Sequence, residues 1–176
     1  GSPLQEVHGV LLGFDCTPEL VDEAVERGAD MIVTHHPLIF GGVRKISPED
    51  PVGLAILKAA SAGIAVYAAH TSADKVLAGV SGAMARRLEL KDIQILDEDP
   101  EGYGLGAVGD LPQPMEAVRF IEYVKSRFGL RVARCSRLPE VPVSRVAMCG
   151  GSGGSLIENA RKAGAQAYLC GDISYH

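Results

Sequence analysis

The first 90 residues alternate short apolar runs with helical patterns, and this alternation limits the fold more than any other feature of the chain. The apolar runs of strand length are residues 7–14, 31–34 and 64–69, and the continuous run 7–14 predicts a strand that is buried on both faces. A helix is predicted after the first run, because Thr17 and Pro18 supply an N-cap and a first-turn proline, and Gly28 supplies a helix end. Strands and helices in this order are typical of a mostly parallel sheet covered by helices. We therefore expect an α/β fold.

The second half of the chain continues the pattern less regularly. Residues 92–111 are short runs broken by Asp, Pro and Gly, which predicts a hairpin or a junction between halves. Further helices are predicted at 52–62, 73–90 and 115–128 and after the glycines of 150–155, and further strands at 131–136, 143–149 and 167–170. We place the domain boundary between residues 91 and 92, with an α/β half on each side.

An internal repeat supports the two-half organisation. Aligned with itself at an offset of 136 residues, the chain matches apolar residues, small residues and glycines over one strand-helix-strand unit. The matched pairs include Val10 with Val146, Leu20 with Leu156, Ala24 with Ala160 and Gly28 with Gly164. A chance match between two amphipathic helices is the alternative explanation. If the repeat is real, both copies direct polar groups from carboxyl ends of strands, where parallel sheets bind ligands.

The sharpest candidate site is the run Thr34-His35-His36-Pro37, which follows an apolar strand. Pro37 favours an extended His36 and ends the strand, so two imidazoles stand at its tip. Adjacent side chains on an extended backbone point to opposite sides, an arrangement that suits two neighbouring metals better than one. A hydrogen-bonded pair that caps the strand is the alternative.

A second polar group follows the next predicted strand. His70 and Asp74 lie there, and carboxyl ends of parallel strands share one edge of a sheet. Imidazole and carboxylate together bind zinc, iron or manganese, and two such ions could activate a bridging water. Asp74 alone could equally be a carboxylate stabilised at a helix N-terminus.

Two further features are weaker. The glycine-rich stretch 150–155 joins a strand to a helix and could cradle an anion, but it lacks the Lys-Ser/Thr of a P-loop, so a tight turn is at least as good an explanation. Asp15, after the first strand, is either a helix-capping residue or a partner of the histidines, and we favour the cap. His8 is predicted to be a surface residue without a role.

Composition excludes several classes of protein. Lys and Arg number 17 against 22 Asp and Glu, and they are scattered, which disfavours nucleic acid as a partner. No apolar run reaches the roughly 18 to 20 residues of a membrane span, and no secretory signal is evident, so we expect a soluble, cytoplasmic protein. The four cysteines lie in or beside apolar runs without Cys-x-x-Cys spacing, which predicts reduced, buried thiols.

The chain resembles the Nif-three-like dinuclear metal centre family, also called GTP cyclohydrolase I type 2 homologues. The matching segments are residues 28–30, 34–40, 69–74, 150–155 and 171–176. The resemblance implies two related α/β halves and assembly into hexameric rings of dimers. It also implies that the family's last metal ligands lie in a segment beyond the position of His176.

By position, the resemblance makes His35 and His36 ligands of two different divalent ions and Asp74 a ligand beside His36. His70 would line the site and His176 would lie near it, and either is a candidate proton shuttle. We thus expect a metal-dependent hydrolase-like protein acting on a nucleotide or related small molecule. The rivals are a non-catalytic ring-forming adaptor with a structural metal site and a nucleotide-binding protein that uses the glycine stretch without metal.

Overall fold

The computed structural model describes residues 1–173 and divides the chain into two compact units. The first unit is Gly1–Ser72 and the second begins at Ala73. The prediction that His176 lies near the site falls outside the described residues. The boundary predicted between residues 91 and 92 stays a prediction.

The first unit is a three-stranded parallel sheet with two helices. Its elements are β1 (Val10–Gly13), α1 (Pro18–Glu26), β2 (Met31–Thr34), α2 (Pro51–Ser61) and β3 (Ala65–Ala68), and the strand order is β1-β2-β3. The helices begin where the sequence predicts. The Thr17 hydroxyl accepts a hydrogen bond from the Leu20 N–H at 3.2 Å, so α1 has the expected cap. Asp50 caps α2 in the same way, accepting from Gly53 N–H at 2.9 Å.

One face of this sheet is covered and the other is not. Ile32 is fully buried in a core that α1 and α2 form with the sheet. The next positions of the strands face the other way, and there Leu12 is 73% exposed and Tyr67 54% exposed. The expectation that residues 7–14 form a strand buried on both faces is therefore wrong. Parallel sheets in proteins are ordinarily covered on both faces, so this apolar face is unusual.

The second unit contains a four-stranded mixed sheet. Its elements are α4 (Val80–Arg87), β4 (Lys91–Glu98), β5 (Gly104–Met115), α5 (Ala117–Phe128), β6 (Val143–Ser152), a 3-10 turn (Gly154–Leu156), α6 (Ile157–Lys162) and β7 (Ala167–Asp172). The strand order is β4-β5-β6-β7, with antiparallel pairs except for β6 and β7, which are parallel. The predicted hairpin is β4-β5. The fully buried Leu88, Val146 and Met148 belong to the core of this unit.

Two sequence predictions about elements are wrong. The helix expected over residues 73–90 is two helices, α3 (His70–Asp74) and α4, because Gly79 turns the chain back onto α3. A β-carbon on Gly79 would collide with the carbonyl oxygen of Ala73, so the turn needs glycine there. The strand expected at residues 131–136 is an exposed irregular segment, whose two arginines give it no apolar face to bury.

The internal repeat is confirmed as a structural repeat. The unit β1-α1-β2 and the unit β6-α6-β7 are both parallel strand-helix-strand crossovers, and their elements fall at matching positions. Gly28 and Gly164, which the offset aligns, both end their helices with positive φ, at 66° and 76°. The fold class is thus the expected α/β arrangement, with one parallel and one mixed sheet.

Candidate metal centre

The candidate site is built on the carboxyl end of β2, where the chain turns sharply after Thr34. The buried Thr34 hydroxyl donates a hydrogen bond to the carbonyl oxygen of His36 at 2.7 Å. The His36 N–H donates to the carbonyl oxygen of Phe14, after β1, at 3.0 Å. These two bonds hold residues 35–36 in a bend rather than an extended strand.

Three imidazoles meet at this edge of the sheet. His70, the first residue of α3 after β3, joins His35 and His36. The ring centroids of His35 lie 5.2 Å from those of both His36 and His70, and the His36 and His70 centroids are 5.8 Å apart. One ring nitrogen from each histidine lies within 4.8 Å of the other two. The cluster is partly buried.

The geometry corrects the expectation that His35 and His36 point to opposite sides. That expectation assumed an extended backbone, whereas the bend after Thr34 turns both rings toward His70. Three imidazole nitrogens are the complete protein ligand set of one well-known kind of catalytic zinc site, and imidazole also suits iron and copper. The arrangement therefore fits one divalent transition metal from these three residues alone.

Phe14 forms an apolar wall beside the cluster. Its ring stacks on His35 at 5.7 Å between centroids and meets His36 edge-on at 4.5 Å. Aromatic contacts of this kind restrict ring rotation, since the packed orientation is favoured over others. Phe14 and Asp15 follow β1, so the strand next to β2 in the sheet supplies the support for the histidines.

Asp15 fixes the tautomer of His36. Its carboxylate oxygen lies 2.7 Å from Nδ1 of His36. A carboxylate only accepts hydrogen bonds, so Nδ1 carries the proton and, in the neutral ring, Nε2 keeps its lone pair. Carboxylates orient metal-binding histidines in the same way in many metalloproteins. The prediction that Asp15 serves as a helix cap is wrong, because Thr17 is the cap of α1 and Asp15 bonds to His36.

A cavity of about 550 Å³ opens beside His36. Four carboxylate residues line it, namely Asp15, Glu19, Glu49 and Asp50. Its lining, all within the described part of the chain, includes no Lys or Arg. A phosphate group entering this cavity would meet negative charge on the protein side, which a bound cation would have to offset.

The remaining predicted site residues have mixed outcomes. Asp74 is the last residue of α3, the helix that begins with His70, and its role as a ligand stays a prediction. In the glycine stretch, the N–H of Gly150 donates to the hydroxyl of Ser81 and that of Gly153 donates to the carbonyl oxygen of Asp172, so these two N–H groups are not available to bind an anion. Residues 150–152 continue β6, and α6, the α-helix that follows them, is only 6 residues long.

Sequence reasoning missed Phe14 as a partner of the histidines and offered Asp15 only as the less favoured alternative to a helix cap. Both follow a strand by one or two positions, which is where residues of a parallel sheet reach the shared edge. Their position after a strand was the one sequence signal that placed them at the edge where the histidines lie. It could not show that β1 and β2 are neighbours in the sheet, and without this the contact with His36 is not predictable.

Residues 1–176 match the family described as Duf34/NIF3 (NGG1p interacting factor 3). The chain belongs to the DUF34/NIF3 family. A relative from Streptomyces coelicolor, called GTP cyclohydrolase 1 type 2 homolog, is 40% identical over 100% of this chain and 64% of its own length. The Protein NIF3 homolog of Schizosaccharomyces pombe is 30% identical over 99% of this chain and 66% of that protein. The chain thus spans about two thirds of the length of these NIF3-family relatives.

Solved structures of the NIF3 family share the fold. A hypothetical protein from Staphylococcus aureus aligns with a TM-score of 0.87 at 29% identity, over 100% of this chain and 71% of that one. A Bacillus cereus protein related to NIF3 aligns with a TM-score of 0.89 at 24% identity, over 100% and 76%. Within the described residues, no helix combines the length and apolar character that crossing a membrane requires.

Proposed function

We propose that this NIF3-family chain carries the metal-binding part of a metal-dependent hydrolase site, centred on His35, His36 and His70. The single observation that carries the proposal is that three imidazole nitrogens, one from each residue, lie within 4.8 Å of one another. Imidazoles collected at the ligand-binding edge of a parallel sheet favour a divalent transition metal.

The residues around the cluster support this use. Asp15 holds the proton on Nδ1 of His36, so that Nε2 is available as a ligand. Phe14 limits rotation of His35 and His36. The cluster is therefore organised before a metal arrives, which reduces the cost of ordering on binding. When bound, a divalent ion there would supply Lewis-acid activation of water and of a substrate oxygen.

The proposed substrate is a nucleotide or related small molecule, on the name that the bacterial relatives carry. The cavity beside His36 is large enough for part of such a molecule. His70 acts in this proposal as a ligand, because its ring belongs to the cluster. A two-metal version adds Asp74 as a ligand and assigns proton transfer to His176, both on the family resemblance.

The exposed sheet face favours a second candidate function. An uncovered parallel sheet with Leu12 and Tyr67 exposed is typical of a surface that packs against protein. A ring-forming adaptor, built as a hexameric ring of dimers with a structural metal, would need such surfaces and no turnover. This candidate is tested alongside the first.

The deciding experiment measures metal per chain, turnover and oligomer size on the same samples. The protein is purified without chelator or affinity nickel, and elemental analysis is compared for the original chain, His36→Ala and the control His8→Ala. His8 is exposed and outside the cluster, so its replacement should change nothing. Nucleotide hydrolysis is then screened in the metal-loaded samples, for this chain and for the whole protein.

The outcomes separate the two candidates. The hydrolase proposal expects metal in the original chain and in His8→Ala, loss of metal and turnover in His36→Ala, and unchanged oligomer size. An adaptor would bind metal without turnover, and His36→Ala would change its size by light scattering. No metal in any sample, including the whole protein, would refute the metal site itself.

A further inference from the structure

Two thiols in the second unit lie side by side on neighbouring strands. Cys149 of β6 and Cys170 of β7 are register partners in the parallel pair. Side chains of register partners leave the sheet on the same face. Neighbouring strands are about 4.8 Å apart, which is within the range of roughly 4.4 to 6.8 Å that separates the α-carbons of disulfide-bonded cysteines.

Gly153 shows how close the two side chains are. A β-carbon placed on this glycine would lie 3.1 Å from Cβ of Cys149 and 2.8 Å from Cβ of Cys170. The same point is in contact with the hydroxyl of Tyr168, which donates a hydrogen bond to the carbonyl oxygen of Gly153 at 2.8 Å. The two cysteines therefore flank one small space, and both are free thiols.

The two thiols differ in access. Cys149 is buried, and its Sγ donates to the carbonyl oxygen of Gly150 at 3.3 Å. Cys170 lies on β7, an edge strand, and lines a cavity of about 900 Å³. Exposed Cys135, which departs from the expectation of buried cysteines, lines the same cavity. A reagent that enters the cavity would reach Cys170 before Cys149.

Burial lowers the reactivity of both thiols by disfavouring their thiolate forms. It raises the pKa of the Cys149 thiol, and the nearby charge of Asp74 raises that pKa further. Burial also raises the pKa of Cys170. The thiolate is the reacting form, so these raised pKa values slow the oxidation of both cysteines at neutral pH.

We propose that Cys149 and Cys170 form a reversible disulfide when the protein meets a low-molecular-weight disulfide. The Cys170 thiolate attacks one sulfur of the small disulfide, forming a mixed disulfide and releasing one small thiolate. The Cys149 thiolate then attacks Sγ of Cys170, which forms the protein disulfide and releases the second small thiolate. The two protein thiols lose two electrons and two protons, and the small disulfide is reduced to two thiols.

The disulfide would link β6 to β7 at the start of the glycine stretch. Strand β6 is irregular here, because its register shifts between Cys149 and Ser152 and Gly151 has a positive φ of 67°, and the chain turns away from the sheet after Ser152. A link across the strand ends would restrict this turn. Cys149 and Cys170 belong to the second unit, whereas His35, His36 and His70 belong to the first.

The test uses the reduced chain and oxidised glutathione as the probe. After incubation the sample is quenched in acid, alkylated under denaturing conditions, digested with trypsin and examined by mass spectrometry. Trypsin places Cys149 in the peptide 146–161 and Cys170 in the peptide 163–176. The expected product is these two peptides joined, two hydrogens lighter than their sum, and separated again by a reducing agent.

Three variants make the result specific. Cys135→Ser should still give the joined peptides, and Cys149→Ser should leave Cys170 carrying glutathione, because the resolving thiol is gone. Cys170→Ser should leave Cys149 unmodified. The proposal is overturned if Cys135 in the original chain is fully modified by glutathione while peptides 146–161 and 163–176 are recovered alkylated. Pairing of Cys170 with Cys135 would overturn it as well.

Discussion

Removal of the Asp15 carboxylate should weaken metal binding without touching a ligand. The bond to His36 Nδ1 is 2.7 Å long and involves a charged acceptor, which in general contributes about 1.5 to 3 kcal/mol. The side chains of His36 and Asp15 are 45% and 58% exposed, so water screens the bond and the lower end applies. About 1.4 kcal/mol corresponds to a tenfold change in affinity. We expect Asp15→Ala to bind zinc about tenfold more weakly, and Asp15→Asn, which keeps a neutral acceptor, to lose less.

The assay is competition for zinc between metal-free protein and a coloured chelator at fixed pH, supported by the rise in Tm on saturation with zinc. Glu49→Gln is the matched control, since Glu49 lines the same cavity as Asp15 and lies outside the cluster of three histidines. The zinc affinity of Glu49→Gln should differ from that of the original chain by less than about twofold. Equal losses in Glu49→Gln and Asp15→Ala would mean that net charge matters and orientation does not. An unchanged affinity in Asp15→Ala, with His36→Ala strongly impaired, would refute the positioning role.

Two predictions concern stability. Ile32→Ala should lower the free energy of unfolding by about 2 to 5 kcal/mol in urea titrations, because Ile32 is fully buried. Leu12→Ala, on the exposed face, should lower it by less than about 1 kcal/mol. Equal losses in the two variants would show that the exposed face is covered in solution. Asp30 accepts hydrogen bonds from the N–H groups of His8 and Gly9, at 2.7 and 3.1 Å, and they lower its pKa. The ionised Asp30 carboxylate therefore stabilises the fold at neutral pH, and this stabilisation is lost as the pH falls through the lowered pKa. Asp30→Asn should reduce Tm at neutral pH and leave it unchanged in strong acid. A reduction of Tm that persists in strong acid would show that the charge of Asp30 is not the cause.

Local sequence signals predicted the elements well where they act within a few residues. Strand β2 begins and ends where the apolar run does, and α1 begins at the predicted cap and proline. Helix α2 (Pro51–Ser61) begins and ends one residue before the predicted range 52–62. These signals depend on local geometry, which the chain carries in the sequence itself.

Signals that depend on distant residues did not predict the structure. The break between α3 and α4 arises because the backbone at Gly79 approaches Ala73, and nothing in the helical periodicity indicates that approach. The same holds for the uncovered face of the first sheet, since an apolar strand looks alike whether one face or two are covered. For the site, residue type identified the histidines, but the bend that brings His36 beside His35 needs bonds from Thr34 and from Phe14 on another strand.

The repeat allows a comparison between two strand-helix-strand units that carry different residues at the carboxyl end of the second strand, here called the tip. In the first copy the residues after Thr34 are His35 and His36, and in the second copy the aligned residues are Gly171 and Asp172. Both copies have the crossover and the helix-ending glycine, so the two units share a backbone arrangement and differ in their two tip residues. Binding chemistry in this architecture therefore changes through two adjacent side chains at a strand end. Engineering of a second imidazole site would accordingly begin at positions 171 and 172, with the scaffold left as it is.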